Sequence, residues 1–435
     1  MFENAIVDQN PHWEGTYYKE GVPRKILVKV KDYLELPHII AVTGVRRSGK
    51  STLIKQIINF LIREKKVRPG NILFLNLENP QFSQYKNDIA YLDRIYGEYI
   101  KLISPEGLIY CMLDEVHFFP EWQVFVKSRY EKGHIKFIVT GSNSRLLSSE
   151  LVTLLSGRTV PVEVFPFSFV EYLASMDIDA TDAVSFIKER HRVRKIFDEY
   201  LQLGGFPEIA FISEPMMKKE ILVMYARAIL YQDIAPRFGI KKAGDLEHLF
   251  FYLISNVASL YTYNSLSKLL SLSDKTIKEY LAYFEDAFLL FTVNAFDFSV
   301  KKQINSPKKV YAIDTGLANA VSFNFSENMG HLLENLVFLK LKQENKEVFY
   351  YKTNNGGEVD FIYRESGGNQ GLIQVTKEIR TENVRKRETK ALVRAMEETG
   401  ITQGIIVTYE DEEKIQIDGK TIEVVPAYAF LSVKP

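Results

Sequence analysis

The chain has 435 residues, 46% hydrophobic and 25% charged, with 55 basic and 55 acidic side chains and a formal net charge of +0. That length implies about two to four domains with buried cores, and the composition excludes a disordered or fibrous chain. The balanced charge excludes a global field for polyanions, so any nucleic-acid contact needs a local patch.

The single cysteine, Cys111, cannot form an intramolecular disulfide and sits in an apolar run, which fits a reducing compartment. The start, Met1-Phe2-Glu3-Asn4, lacks the basic-then-apolar order of a signal peptide. The most apolar stretch, Phe250 to Tyr261, is interrupted by Ser255 and Asn256. The expectation is a cytoplasmic protein without membrane contact.

Residues 1–36 read as a helical lead-in. Residues 37–161 alternate strands and helices, the pattern of right-handed βαβ units and an open parallel sheet. His38 to Thr43 is an apolar strand, and Thr52 to Leu61 has helical apolar spacing. Between them, Gly44-Val45-Arg46-Arg47-Ser48-Gly49-Lys50-Ser51 fits G-x-x-x-x-G-K-[ST] at every fixed position. Glycines let backbone N–H groups surround a phosphate, and the helix N-terminus adds positive potential. The nucleotide-binding set is therefore Gly44 through Ser51 with Thr52. Lys50 is placed to neutralise the β/γ-phosphates of ATP, and Ser51 to ligate Mg²⁺. Arg46 and Arg47 occupy variable positions, solvated or facing a neighbouring subunit.

Asn71 to Leu77, Leu108 to Leu113 and Lys136 to Gly141 read as further strands. The second is apolar throughout, as a strand buried on both faces would be. It ends in Asp114-Glu115. An acid at that tip holds Mg²⁺, and the next can orient or deprotonate a water. Thr140, Ser142 and Asn143 end the adjoining strand and are alternative γ-phosphate sensors. Arg158 is either an arginine finger reaching a neighbouring subunit or an ordinary surface arginine.

Residues 162–243 read as a helical lid, with helices over 186–203 and 216–231. Residues 244–303 read helix, helix, turn, helix and an apolar strand pair at Phe288 to Phe298, in the order of a winged helix–turn–helix. Residues 304–435 are α/β again. A long helix covers His331 to Gln343, and strands cover Val348 to Tyr351, Glu358 to Tyr363, Leu372 to Thr376 and Gly404 to Thr408. A charged helix covers Asn383 to Glu398.

The phosphate loop, Leu113-Asp114-Glu115-Val116-His117, Trp122, Thr140-Gly141-Ser142, Ser156-Gly157-Arg158 and Pro166-Phe167-Ser168-Phe169 together resemble a family of prokaryotic AAA-type ATPases. Gly204-Gly205-Phe206-Pro207-Glu208 and Tyr311-Ala312-Ile313-Asp314-Thr315-Gly316-Leu317 extend the resemblance over nearly the whole chain. It implies an α/β fold with a P-loop NTPase parallel sheet, a helical lid, a winged helix–turn–helix and a C-terminal domain like PD-(D/E)xK nucleases. It also implies a homo-oligomer.

The nuclease-type core needs a helix Glu, a strand Asp and a Glu-x-Lys pair, so that carboxylates bind Mg²⁺ and the lysine positions water. Glu334 fits the helix acid, Asp360 fits the strand acid, and Glu358 shares the face of Asp360. The third element departs: Ile373-Gln374-Val375-Thr376 has Gln374 for Glu and Thr376 for Lys. Lys377 should face the other way; substitution by a lysine from the following helix is the less favoured alternative to a site without that charge.

Three functions compete. One is an ATP-hydrolysing machine acting on nucleic acid or a protein partner. Another is an ATP-gated DNA- or protein-binding switch with little turnover, which would not need Glu115. The third, an ATP-dependent nuclease, is disfavoured by Gln374 and Thr376. Lys268, Lys275, Lys278 and the Lys301-Lys302 pair could contact DNA phosphates, opposed by Asp274, Glu279, Glu285 and Asp286.

Overall fold

The computed structural model describes the chain except for residues 1–2, 86–87, 89, 145–154, 156, 181–185, 187, 323–328 and 433–435. Ser156, which belongs to the Ser156-Gly157-Arg158 string, lies outside the described residues. The chain divides into two compact units, Met1–Val164 and Phe165–Pro435. No helix among the described residues is long and apolar enough to cross a membrane.

The first unit is built on a five-stranded parallel sheet of β1 (Ile39–Thr43), β2 (Ile72–Asn76), β3 (Ile109–Asp114), β4 (Ile135–Gly141) and β5 (Thr159–Glu163), in the order β2-β3-β4-β1-β5. Alternate side chains serve opposite cores. Ile39, Ala41, Leu73, Leu75, Cys111 and Leu113 pack on one face with Tyr91, Trp122 and Phe125. Ile40, Val42, Ile72, Phe74, Met112 and Ile138 pack on the other with Leu53, Ile54, Ile57 and Ile58. Burial on both faces explains why these strands are continuously apolar rather than alternating. β5 was not visible as a strand in the sequence. It is an edge strand carrying Pro161, a residue tolerated at an edge because it has no N–H to donate.

The topology decides where chemistry can occur. β4 lies between β1 and β3, and all three run parallel. Their carboxyl ends therefore share one edge, which collects the loop after Thr43, Asp114 at the end of β3, and the Thr140–Gly141 end of β4.

The second unit begins with helices Phe169–Ser175, Arg190–Leu203 and Pro215–Ala228. Helices Ala243–Ser255, Tyr263–Leu270 and Asp274–Asp286 follow. Ser273 caps the last of these through the Thr276 N–H. Beside them lies a small antiparallel sheet of β6 (Leu260–Tyr261), β7 (Leu290–Val293) and β8 (Lys308–Ala312), ordered β6-β8-β7.

The expected strand pair at Phe288 to Phe298 does not form. Only β7 is a strand. After it the chain turns to make an isolated bridge between Ala295 and Tyr350, leaves Phe298 95% exposed, and enters the short helix Val300–Asn305. The partner of β7 is β8, farther along the chain.

The remaining sheet has β9 (Glu347–Lys352), β10 (Glu358–Arg364), β11 (Gln370–Val375), β12 (Gln403–Thr408), β13 (Glu413–Ile417) and β14 (Lys420–Pro426), ordered β13-β14-β12-β11-β10-β9. The β13–β14 hairpin was not read from the sequence.

Asp314 ties distant segments of this unit. Its carboxylate accepts the Leu317 N–H at 2.9 Å, capping the helix Thr315–Val321, and the Gly205 N–H at 2.6 Å. Gly205 is required by close approach. A Cβ there would stand 2.2 Å from the Phe167 carbonyl oxygen.

Candidate functional site

The phosphate loop forms between β1 and the helix Lys50–Arg63, as its pattern predicts. Gly44 has φ 149° and lies against β5, where a Cβ would be 2.1 Å from the Val164 carbonyl oxygen. Val45 and Ser48 are fully buried, Gly49 caps the helix at φ 97°, and Arg47 has φ 71°. The Lys50 ammonium folds back over the loop and donates to the Gly44 and Val45 carbonyls at 3.1 and 3.2 Å. Arg46 pairs with Glu78 at 2.9 Å.

Asp114 and Glu115 meet this loop. Lys50 Nζ is 3.6 Å from Glu115 Oε1. Thr140 Oγ1 donates to Asp114 Oδ1 and accepts the Glu115 N–H at 2.9 Å. Burial raises the pKa of Asp114, with the Glu115 charge adding to the effect and the Thr140 and Ser51 hydroxyls and Lys50 opposing it. Burial also pushes Glu115 up, but Lys50, His117 and Arg46 outweigh it and hold this carboxyl at about 2. Glu115 is thus an anion at neutral pH, held at φ 55° in the left-handed region.

Several buried polar atoms here have no hydrogen-bond partner: Thr43 Oγ1, Ser48 Oγ, Asp114 Oδ2, Glu115 Oε2, His117 Nδ1 and Ser142 Oγ. Such atoms are costly to bury unmatched and gather where a polar ligand belongs. Of the three sensor candidates, Thr140 is occupied with the two acids, Ser142 keeps an unmatched buried hydroxyl, and Asn143 is buried beside it.

Two residues here escaped the sequence reading. Arg24 is buried and donates to the Ser48 carbonyl at 2.7 Å, bracing the loop from the lead-in. His117 Nδ1 stands 3.2 Å from Glu115 Oε2. The only signal for His117 was its place two residues after Glu115.

Arg158 is not brought to this edge. Its carbonyl accepts the Ile39 N–H at the start of β1, at the opposite edge of the sheet from the loop. Its side chain is exposed, 3.3 Å from Glu131, with the guanidinium over the Tyr130 ring.

In the second unit the other predicted residues converge. Glu334, on the helix Met329–Gln343, and Glu358 and Asp360, on β10, line one cavity of about 1190 Å³ with Gln374, Thr376 and Glu388. The register of β10 against β9 shifts between Val359 and Ile362, the interval that holds Asp360 and Phe361. Such a bulge re-aims a side chain.

Lys386 and Lys390 of the following helix line this cavity, as does Lys377, which was expected to face away, but the lysine that meets the three acids comes from another strand. Lys309 on β8 reaches Glu334, Glu358 and Asp360, each at 2.9 Å. Burial alone would favour its neutral form, but Tyr311 and the three acids reverse this and hold it charged. Burial, then the Asp360 charge, raise Glu334. Gln374 accepts the Asp360 N–H at 3.3 Å and donates to Glu388 at 2.9 Å. Thr376 Oγ1 only meets the Glu378 carbonyl, at 3.3 Å.

Residues 37–173 match the family model described as an AAA domain. Residues 194–328 and 329–430 match two models described as domains of unknown function, DUF8612 and DUF4143. The "Uncharacterized protein MJ1544" of Methanocaldococcus jannaschii is 35% identical, over 99% of this chain and 95% of its own length. An "Uncharacterized protein" of Haemophilus influenzae is 32% identical over 92% and 94%. Among solved structures, Orc1 of Aeropyrum pernix in complex with DNA is similar at 10% identity and a TM-score of 0.31, over 72% of this chain and 96% of that one. AMPPCP-bound DnaA of Aquifex aeolicus is similar at 15% and 0.28, over 64% and 92%. The phosphate loop and its acids thus lie within an AAA domain, and the chain belongs to the family of the Methanocaldococcus and Haemophilus proteins.

Proposed function

We propose that this chain is an AAA-type ATPase that binds ATP with Mg²⁺, hydrolyses it, and acts on a nucleic acid or a protein partner as a cytoplasmic homo-oligomer. One observation carries the reading. Lys50, Ser51, Asp114, Glu115 and Thr140 converge at one strand edge, surrounded by unmatched buried polar atoms. That surround fits an oxygen-rich anion with a hard cation.

Ser51 and Asp114 would hold Mg²⁺, which when bound neutralises charge on the phosphates. Lys50 exchanges its two loop carbonyls for phosphate oxygens. Glu115 is the base that orients or deprotonates water. Thr140 keeps both acids in place, and Ser142 is favoured as the sensor by its unmatched hydroxyl. Arg158 serves in trans as a finger on a neighbouring subunit, since its own site lies at the far edge of the sheet.

Residues 244–312 support a winged-helix reading through the helix–turn–helix and the three-stranded sheet. Lys268, Lys275 and Lys278 are exposed on it, though Lys275 pairs with Glu279 at 3.9 Å. The C-terminal sheet and helices support a nuclease-like scaffold that binds rather than cuts, because Gln374 and Thr376 carry no charge.

The test is phosphate release with and without duplex and single-stranded DNA. A many-fold stimulation identifies a nucleic-acid target. An unchanged basal rate points to a protein partner. No hydrolysis under any condition contradicts the ATPase reading.

A further inference from the structure

The acids expected to bind a metal in the second unit already surround a cation. The Lys309 nitrogen is 2.9 Å from one oxygen of each of Glu334, Glu358 and Asp360. The ammonium donates hydrogen bonds to Glu334 and Asp360 and holds Glu358 as an ion pair. Lys309 is 2% exposed and does not line the cavity that the three acids line. It reaches them from β8, buried and outside the cavity lining.

The rest of the cluster is satisfied around that arrangement. Tyr311 donates to the same Glu334 oxygen at 2.6 Å. The second oxygen of Asp360 accepts the Val375 N–H at 2.9 Å. Gln374 bridges Asp360 to Glu388, and Arg387 holds the other Glu388 oxygen.

The three gripped oxygens necessarily lie within twice 2.9 Å of one another. Carboxylates so close repel strongly unless a cation sits between them. The 2.9 Å spacing is that of N–H···O contacts. Among the described residues, no group of three or more His, Cys, Asp or Glu side chains is arranged to hold a metal ion.

We infer that the Lys309 ammonium is the built-in occupant of the cation position between Glu334, Glu358 and Asp360, so that the cavity they line keeps its shape without a divalent metal. An ammonium supplies charge but no open coordination position, so it cannot bind and acidify a water as a metal does. The inference concerns the second unit only and stands whether or not the first hydrolyses ATP.

The test is Mn²⁺ binding to the full chain without nucleotide, followed by titration calorimetry. The variants are Lys309→Met, Lys309→Arg, Asp360→Asn, and Lys309→Met with Asp360→Asn. Wild type and Lys309→Arg should show no Mn²⁺ binding that depends on Asp360. Lys309→Met should gain one site at least about tenfold tighter than any wild-type binding, because three acids lose their cation. The double variant should lose it. If Lys309→Met does not fold in EDTA, Mn²⁺ should restore its cooperative unfolding transition. An Asp360-dependent Mn²⁺ site in the wild type would overturn the inference. So would a folded Lys309→Met that gains no site, or an unfolded one that Mn²⁺ does not rescue.

Discussion

Lys50 and Glu115 come from opposite sides of the nucleotide site and meet at 3.6 Å. The two groups that should serve phosphate and water thus stand as a close ion pair. Lys50→Ala removes the counter-ion of the phosphates and the strongest influence holding Glu115 down. ATP affinity should fall by about tenfold or more, and turnover should be lost, as expected when a close charge partner worth over ~1.4 kcal/mol disappears. Nucleotide binding by fluorescence titration checks this; wild-type affinity in the variant would remove Lys50 from the site.

Arg158 sits at the start of β5 and the loop follows the end of β1, so the length of a strand separates them within one chain. Five residues of strand span about 17 Å. A finger role therefore requires a neighbour. Arg158→Ala should lose ATPase activity while keeping fold and nucleotide affinity. Mixing it with Lys50→Ala should restore part of the turnover, because an intact Arg158 can then meet an intact Lys50 site. Co-assembly without rescue at any ratio would count against the trans arrangement.

His12 is buried, with Nε2 3.0 Å from the Ile72 carbonyl. Burial lowers its pKa from 6.5 to about 4, against the pull of that carbonyl. Between those values the unfolded chain binds the proton and the folded chain does not. Stability from this group is therefore complete above pH 6.5 and is lost as pH falls toward 4, by about 3 kcal/mol in all. His12→Gln should flatten the dependence of melting temperature on pH in that window. An equally steep dependence in the variant would assign the loss to other groups.

Gly205→Ala places a methyl 2.2 Å from the Phe167 carbonyl and disturbs the N–H that Asp314 accepts. The second unit should lose roughly 3 kcal/mol or more, the scale of backbone overpacking combined with a lost buried hydrogen bond. Chemical denaturation followed by circular dichroism measures it. A loss below about 1 kcal/mol would show that the junction yields easily.

The C-terminal cavity should not cleave DNA or RNA with Mg²⁺ or Mn²⁺, with or without ATP. Gln374 and Thr376 supply neither charge that the chemistry uses, and Lys309 is committed to three acids. Cleavage by the wild type that vanishes in Asp360→Ala would contradict this.

The phosphate loop and its acids were legible because each depends on local order: a strand, a tight turn, a helix and a strand tip. Periodicity also gave β1 to β4, since strands buried on both faces are written as apolar runs. β5 was hidden by Pro161 and its edge position. Lys309 was hidden for a different reason. It lies on a strand that pairs with β7, while its side chain serves acids 25 and 51 residues later. A motif search looks for a lysine two residues after position 374, and three-dimensional supply from another strand leaves no spacing to find. Arg24 was likewise hidden, one of two adjacent basic residues in a lead-in without a pattern to mark its contact with the loop.

The most direct test of the account is phosphate release and ATP retention measured together on wild type and Glu115→Gln. Asp114 and Lys50 remain in the variant, while the anion held at about 2 by Lys50 is replaced by a neutral amide. The account predicts steady turnover by the wild type, and tight ATP binding with turnover reduced about a hundredfold or more by the variant, the loss expected when general base catalysis is removed. Equal phosphate release by the two proteins, or none by the wild type, would contradict it.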